Sequence, residues 1–325
     1  MDKIRWGILG TGAIAEKMAP AIRSAANSEL IGVAGRHEES GRMAAAKYGL
    51  DRTYRSYDEL IGDPDIDAVY VALLNHLHAE WTIRAIEAGK HVLCEKPMTM
   101  NEREVLRIRE SLGNRDLRVM EAFYWRFHPA HQAARELIRD GRIGRPVFVH
   151  SHFSFPIRLQ TRFVKAWGGG ALYDLGCYAV SWSRFVMDGE PVAVDGVLSP
   201  GPDAEEVDRF GSGVLYFPDR TAFISVSYDM GRFQFYEVLG DGGKLRLESE
   251  ATDDMIRFGL TCGDLRREWT TDRIEPYRYE VEAFAGSILS GRPLPYDLED
   301  ARKNMRILDA FFESARSGRR VRLDG

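Results

Sequence analysis

The sequence predicts an α/β fold in two parts: a doubly wound parallel sheet first, then an α/β domain built on an open, mainly antiparallel sheet. Three observations predict it. Over the first third of the chain, short apolar runs alternate with helix-like stretches, the pattern of a parallel sheet covered on both faces. From Val192 to Trp269 the pattern changes to successive strand-like segments. Between the first strand and the first helix lies a glycine-rich turn, Gly10-Thr11-Gly12.

The elements follow in order. Ile4 to Leu9 reads as a strand, Ala13 to Ala26 as a helix and Leu30 to Ala34 as a strand. Glu38 to Tyr48 reads as a helix, Ala68 to Leu73 as a strand and Ala79 to Ala88 as a helix. His91 to Cys94 is a strand, Asn101 to Leu112 a helix and Arg118 to Tyr124 a further strand. Right-handed crossovers between such strands make a Rossmann-type sheet. The boundary falls near Trp125, giving domains 1–124 and 125–325. Beyond it, His128 to Asp140 looks helical, Gly144-Arg145-Pro146 is a turn, and Val147 to Phe155 alternates as a half-exposed strand does. A helix over Tyr173 to Met187 precedes the strands Ser212 to Phe217, Thr221 to Tyr228, Phe233 to Leu239 and Lys244 to Glu248. Asp241-Gly242-Gly243 is the hairpin signal between the last two.

Composition narrows the function. With 325 residues, 44% apolar and 29% charged, the chain has the balance of a soluble globular protein. A net charge of -5 gives no reason to expect a nucleic-acid partner or an anionic membrane surface. No apolar run approaches the roughly 20 residues that span a bilayer. The N-terminal residues pass directly into a strand and lack the apolar segment of a secretion signal, and Cys94, Cys177 and Cys262 are too few and too scattered for a disulfide framework. A cytoplasmic protein with reduced thiols is expected.

The glycine turn continues as Gly10-Thr11-Gly12-Ala13-Ile14-Ala15, a G-x-G-x-x-A match in the strand-to-helix context that gives the motif its meaning. The glycines let the backbone turn tightly beside a pyrophosphate, which the helix N-terminus then faces. The second strand ends in Gly35-Arg36-His37, where a site for NAD usually carries an acid. Arg36 is a forked cation suited to a 2'-phosphate, so NADP is expected, with Glu38 or Glu39 as alternative ribose acceptors.

Two segments carry candidate chemistry. His91 to Cys94 runs into Glu95-Lys96-Pro97, which sets Lys96 at the carboxyl edge where doubly wound sheets bind ligands. Gly168-Gly169-Gly170 leads into a helix bearing Asp174 and Tyr178 at i, i+4, a spacing that turns both to one face. A free phenol titrates near 10, and a nearby lysine cation lowers that value. Tyr178 is therefore expected as general acid/base, Lys96 as its electrostatic partner and Asp174 as an orienting acceptor.

These segments, with Asn75-His76-Leu77-His78-Ala79-Glu80, Glu121-Ala122-Phe123 and Arg126-Phe127-His128-Pro129, resemble the glucose–fructose oxidoreductase/inositol dehydrogenase (Gfo/Idh/MocA) family along essentially the whole chain. The resemblance implies an N-terminal Rossmann domain and a C-terminal domain whose open sheet makes subunit contacts, hence a homodimer or homotetramer. Asp174-Leu175-Gly176-Cys177-Tyr178 carries tyrosine where inositol dehydrogenases carry histidine. It resembles the branch with D-xylose dehydrogenase, dimeric dihydrodiol dehydrogenase and glucose–fructose oxidoreductase. On this resemblance the cofactor site takes Gly10, Thr11, Gly12, Ala13, Ile14, Gly35, Arg36 and His37. It also takes Leu73, Leu74, Asn75, His78, Glu95, Lys96, Arg126 and Trp167. The substrate site takes Lys96, Tyr124, Trp125, Phe155, Asp174 and Tyr178. Two positions depart from the pattern: Leu74 stands where proline commonly precedes the Asn-x-x-His segment, and Gly35 where a serine often adds a phosphate donor. The long N-terminal extension of the secreted members is also missing from the pattern, which favours dissociable NADP.

The pairs His76/His78 and His150/His152 lack a third ligand at a recognisable spacing, so no metal is expected. Ser154, Ser181 and Cys177 lack the context of an activated nucleophile. Trp125, Trp167 and Phe163 are open to two readings, walls for a sugar ring or interface packing. The expected activity is hydride transfer between NADP(H) and a sugar, an aldose such as D-xylose or D-glucose being oxidised at its anomeric carbon or the reverse. A trans-dihydrodiol dehydrogenase and a non-catalytic NADP-binding sensor are the alternatives.

Overall fold

The structure, a computed structural model, describes residues 2–200, 207–249 and 255–323. The parts of the expected strand region that fall on 201–206 and 250–254 lie outside the described residues. The chain begins β1 (Ile4–Leu9), α1 (Ala13–Ser24), β2 (Ser28–Ala34), α2 (Glu38–Tyr48), α3 (Tyr57–Gly62), β3 (Ala68–Val71) and α4 (Asn75–Glu87). Then come β4 (His91–Glu95), α5 (Glu102–Leu112), β5 (Val119–Ala122) and a 3-10 turn at Tyr124–Phe127. Beyond it lie α6 (Pro129–Arg139), β6 (Pro146–Ser154), a π-helical turn at Leu172–Gly176 and α7 (Cys177–Met187). Seven strands follow: β7 (Ala193–Pro200), β8 (Asp208–Tyr216), β9 (Thr221–Ser227), β10 (Phe233–Gly240), β11 (Gly243–Ser249), β12 (Ile256–Cys262) and β13 (Leu265–Thr270). The last elements are α8 (Pro276–Ser290), α9 (Leu298–Ser317) and β14 (Val321–Arg322).

Two units divide the chain, Met1–Phe127 with Glu275–Arg302, and His128–Ile274 with Lys303–Gly325. A single cut at Trp125 therefore misplaces residues 275–302. The physical reason is packing: α8 lies on α1, Phe284 meets Trp6 at 5.5 Å between ring centroids, and Tyr277 meets Tyr124 at 4.5 Å. Trp6 and Phe284 are both fully buried, and burying each stabilises the unit by about 1.5–3 kcal/mol.

In the first unit five parallel strands pair in the order β2-β1-β3-β4-β5. A single parallel bridge from Tyr54 to Ala34 marks the outer edge of β2, in the place of a further strand. The strands are buried on both faces, as the continuous apolar runs require. The order reverses between β1 and β3, the position where sheets of this kind open a crevice at their carboxyl ends. Helix α1 buries Ala15, Met18, Ala19 and Ile22, and its small residues bring it close to the sheet.

Two boundaries and one added helix stand out among the differences from expectation. Helix α4 starts at Asn75, ahead of the expected Ala79, because the polar stretch Asn75–His78 is itself helical. The strand expected over Arg118 to Tyr124 shortens to Val119–Ala122, since Tyr124 already opens the 3-10 turn. Helix α3 was not expected, although Ser56-Tyr57-Asp58-Glu59 opens with a capping serine: Ser56 Oγ accepts Glu59 N–H at 3.1 Å, and Glu59 accepts the N–H of Arg55, just before the cap, at 2.6 Å.

The second unit holds a nine-stranded sheet in the order β13-β12-β11-β10-β6-β9-β8-β7-β14. Every pairing is antiparallel except β6 with β9. Asp241 and Gly242 make the expected hairpin between β10 and β11. Helix α7 covers one face, where Phe153 of β6 meets Trp182 at 5.8 Å and Ser151 Oγ lies 3.0 Å from Ser183 Oγ.

Candidate active site

At the end of β1, Gly10 has φ +109, and a Cβ there would lie 2.3 Å from the carbonyl oxygen of Ala72. Glycine is obligatory at this position, because an L side chain is both strained and blocked. Its N–H donates to Ala34 O at 2.8 Å, which ties the turn to the end of β2. Gly12 is the N-cap of α1 and is exposed; a Cβ there would meet nothing within 4 Å. No side chain caps the helix, so its first N–H groups and its positive dipole end face open space past Thr11, Ala13 and Ile14. Leu74, at the end of the β3 connection, likewise caps α4 without a side-chain hydrogen bond, and Asn75 behind it is buried.

Arg36 stands exposed at the end of β2, and among the described residues its guanidinium has no hydrogen-bond or ion-pair partner. Burial raises the Tyr57 phenol, and the cation of Arg36 acts on it in the opposite sense, which sets the two side chains near each other. A side chain at Gly35 has no room, because a Cβ would lie 2.2 Å from Ser40 Oγ. Ser40 Oγ fills that space and donates to His37 O at 2.8 Å. An uncapped helix end, an open glycine turn and an uncommitted arginine fit a dinucleotide carrying phosphate at both places.

Lys96 follows β4 and is half-buried. Three bonds fix its backbone. Its N–H donates to Glu95 Oε2 at 3.1 Å, Tyr70 O–H donates to Glu95 Oε1, and Met98 N–H donates to Glu121 Oε1 at 2.8 Å. The Lys96–Pro97 peptide is cis. His78, 1% exposed, lies 2.8 Å by Nδ1 from Pro97 O and 3.0 Å by Nε2 from Leu73 O. It therefore ties α4 to the loop that carries Lys96. Beneath this edge Glu280 of α8 is 1% exposed, and burial, then the charge of Glu95, pushes its carboxyl well up. Tyr70, Glu121 and Glu280 are supporting residues that sequence reasoning missed.

In the second unit Asp174 and Tyr178 are 3% and 6% exposed. The expected α-helical i, i+4 relation is corrected: Asp174 sits in the π-helical turn, and the α-helix proper starts at Cys177. A π turn is one residue wider, and such turns recur at functional sites. Asp174 accepts from Tyr228 O–H at 3.3 Å and pairs with Arg162 at 3.5 Å. Tyr178 packs edge-on against Phe153 at 5.4 Å, with Trp182 at 5.8 Å. Trp167 is 37% exposed in a 3-10 turn, and half-buried Phe155 stacks near Phe153 at 5.7 Å.

Arg126 pairs with Asp300 at 2.8 Å and lies 4.4 Å over the Tyr296 ring. Tyr124 is buried against Tyr277. Trp125 is 1% exposed and edge-on to Phe123 at 6.2 Å. Among the described residues no three His, Cys, Asp or Glu side chains gather as a metal site. His152 instead lies 2.7 Å from Ser225 Oγ and 2.9 Å from Ser154 Oγ, and burial brings it down to about 4. No helix among the described residues is long and apolar enough to cross a membrane.

Comparison with known proteins matches both units. Residues 4–123 fit the model of an oxidoreductase family with an NAD-binding Rossmann fold, and residues 131–246 fit the GFO/IDH/MocA C-terminal domain. An uncharacterised oxidoreductase of Rhizobium meliloti is 38% identical, covering 98% of each chain. A D-xylose 1-dehydrogenase (NADP(+)) of Haloferax volcanii is 36% identical, over 98% of this chain and 99% of its own. The crystal structure of an aldose-aldose oxidoreductase from Caulobacter crescentus superposes with a TM-score of 0.92 at 28% identity, over 99% and 100% of the two chains. With both of its domains matched, the chain belongs to the GFO/IDH/MocA family of oxidoreductases.

Proposed function

We propose that this chain is an NADP(H)-dependent sugar dehydrogenase that moves a hydride to or from the anomeric carbon of an aldose such as D-xylose or D-glucose. The observation that carries the reading is the carboxyl edge of the first sheet, where the open glycine turn, exposed Arg36 and anchored Lys96 follow β1, β2 and β4 of one parallel sheet. Likeness to an NADP(+) D-xylose dehydrogenase and to an aldose-aldose oxidoreductase supports the substrate class. The nucleotide supplies the hydride-transfer chemistry. Gly10, Thr11, Gly12, Ala13 and Ile14 hold its pyrophosphate, and Arg36 with Gly35 and His37 holds the 2'-phosphate. Leu73, Leu74, Asn75, Glu95, Arg126 and Trp167 complete the cofactor contacts, and His78 acts by fixing the Lys96 loop. Tyr178 takes the proton of the reacting hydroxyl, Lys96 supplies the positive charge that tunes it, and Asp174 orients the sugar together with Tyr124, Trp125 and Phe155.

Absorbance at 340 nm with a panel of aldoses and both NADP+ and NAD+ tests the reading. Turnover of an aldose with NADP+ is the expected result; NADPH binding with no turnover of any sugar would mark a sensor instead. Arg36→Ala should weaken NADP+ binding by about 1–3 kcal/mol, the scale of charge-assisted hydrogen bonds, with little change for NAD+. Equal losses for the two nucleotides, read by titration calorimetry, would make Arg36 structural.

The chain is also proposed to form a homodimer or homotetramer through the second unit's sheet. Strand register puts Val197, Phe210, Phe233 and Leu239 on the face away from α7, exposed by 64%, 36%, 49% and 36%. Such a face is covered in solution by another copy. Sedimentation velocity should give at least a dimer at micromolar concentration, and a monomer would end this claim. The three free cysteines suit a reducing compartment, the cytoplasm.

A further inference from the structure

The segment bearing Asp174 and Tyr178 starts from a backbone that no ordinary helix start explains. Gly170 has φ +114, and a Cβ there would lie 2.3 Å from Asp208 Oδ1. Asp208 comes from the first residue of β8 and is 8% exposed. Its Oδ2 accepts the N–H of Leu172, the first residue of the π turn, at 2.6 Å. Its carboxylate also accepts backbone N–H bonds from Ala171 and from Asp208 itself. From the other side, Gly170 N–H donates to Arg162 O at 3.0 Å, and Tyr228 O–H donates to Gly170 O at 2.9 Å as well as to Asp174. One buried carboxylate from a distant strand thus gathers the amides that open the turn, and glycine at residue 170 gives it the room.

We infer that Asp208 is a positioning residue: it clamps the opening of the π turn and so fixes the aim of Asp174 and Tyr178. The inference rests on the roles proposed for those two residues. Burial pushes the Asp208 carboxyl up to about 6, against the backbone donors that pull it down. Tyr228, just past β9, is the titratable side chain that faces the Asp208 carboxyl among the described residues; Asp174 and Arg162 act on that same phenol, and Arg209, next in sequence, is committed to Asp229 at 2.9 Å. The sign follows from the raised value. Between the unfolded carboxyl's value near 4 and about 6, the folded chain binds the extra proton, so ionised Asp208 costs stability above that window and contributes its clamp there. Below about 6 one oxygen becomes a donor facing donors, and the clamp loosens.

The test uses the full chain, with Asp208→Ala and the near-isosteric Asp208→Asn compared with wild type and with Tyr178→Phe. Amide hydrogen exchange needs no substrate: the 168–178 segment should exchange faster in Asp208→Ala, less so in Asp208→Asn, which keeps one acceptor. With D-xylose and NADP+ as probes, kcat should fall at least about tenfold in Asp208→Ala while KM for NADP+ stays within about twofold. The wild-type kcat should fall as pH drops through about 6, and Asp208→Asn should lose that limb and run low throughout. Unchanged exchange in Asp208→Ala overturns the clamp, and faster exchange with an intact kcat overturns its bearing on the reaction. A Tyr178→Phe variant that keeps its kcat removes the reading beneath the inference. A Tyr178→Phe variant that loses kcat, beside Asp208 variants that keep theirs, removes the inference alone.

Discussion

Tyr178→Phe is expected to lower kcat by about 10²–10⁴-fold while NADPH binding stays nearly intact, the usual contribution of a positioned acid/base. A hydride leaves the substrate carbon only as the proton of its hydroxyl is taken, so a base must sit at that oxygen. The substitution deletes one oxygen and leaves the ring packed against Phe153 and Trp182, so stability should change little. The loss corresponds to about 3–5 kcal/mol of transition-state stabilisation, far above what a buried hydroxyl contributes to folding. Steady-state kinetics with the best aldose of the panel, and fluorescence titration with NADPH, separate the two effects. A variant that keeps more than about a third of kcat would show that Tyr178 is not the acid/base.

Lys96→Ala is expected to cost at least as much, because it removes the cation proposed to tune the phenol as well as a contact to the cofactor. Its backbone is held by Glu95, and Glu121 holds the adjoining Met98, so truncating the side chain should leave the loop in place. Lys96→Arg should rescue poorly despite keeping the charge, since a planar fork does not replace a compact ammonium. Circular dichroism and NADPH titration provide the controls for folding and binding. If Lys96→Ala lost less than tenfold in kcat with unaltered KM values, Lys96 would be a surface lysine at a strand end.

The parts legible in the sequence are those whose cause is local. Continuous apolar runs gave the parallel strands, and Gly10-Thr11-Gly12 could be placed because the turn and its flanking strand and helix are adjacent in sequence. Ser56-Tyr57-Asp58-Glu59 was equally local and went unread, which cost α3. The rest depends on partners distant in sequence. Asp174 and Tyr178 could be named, but the π turn has no compositional signature, and the groups that grip Asp174 come from Arg162 and Tyr228. The sequence leaves Trp125 open as a sugar wall or as interface packing, and its 1% exposure comes from tertiary neighbours that its own segment does not name. Residues 275–302 went to the wrong domain for the same reason, since nothing in α8 itself names Trp6 as its neighbour.

That return of α8 has a consequence for synthesis. When residue 127 leaves the ribosome all five strands of the first sheet exist, yet Trp6 and the outer side of α1 still lack their cover. The cover arrives about 150 residues later, which at about 5–20 residues per second is on the order of ten seconds. The first unit therefore waits unfinished while eight of the nine strands of the second sheet are made, and the ninth, β14, follows only after α9. Neither end of the gene alone encodes the first unit: its interior is closed by a helix translated after all but the last of the other unit's strands.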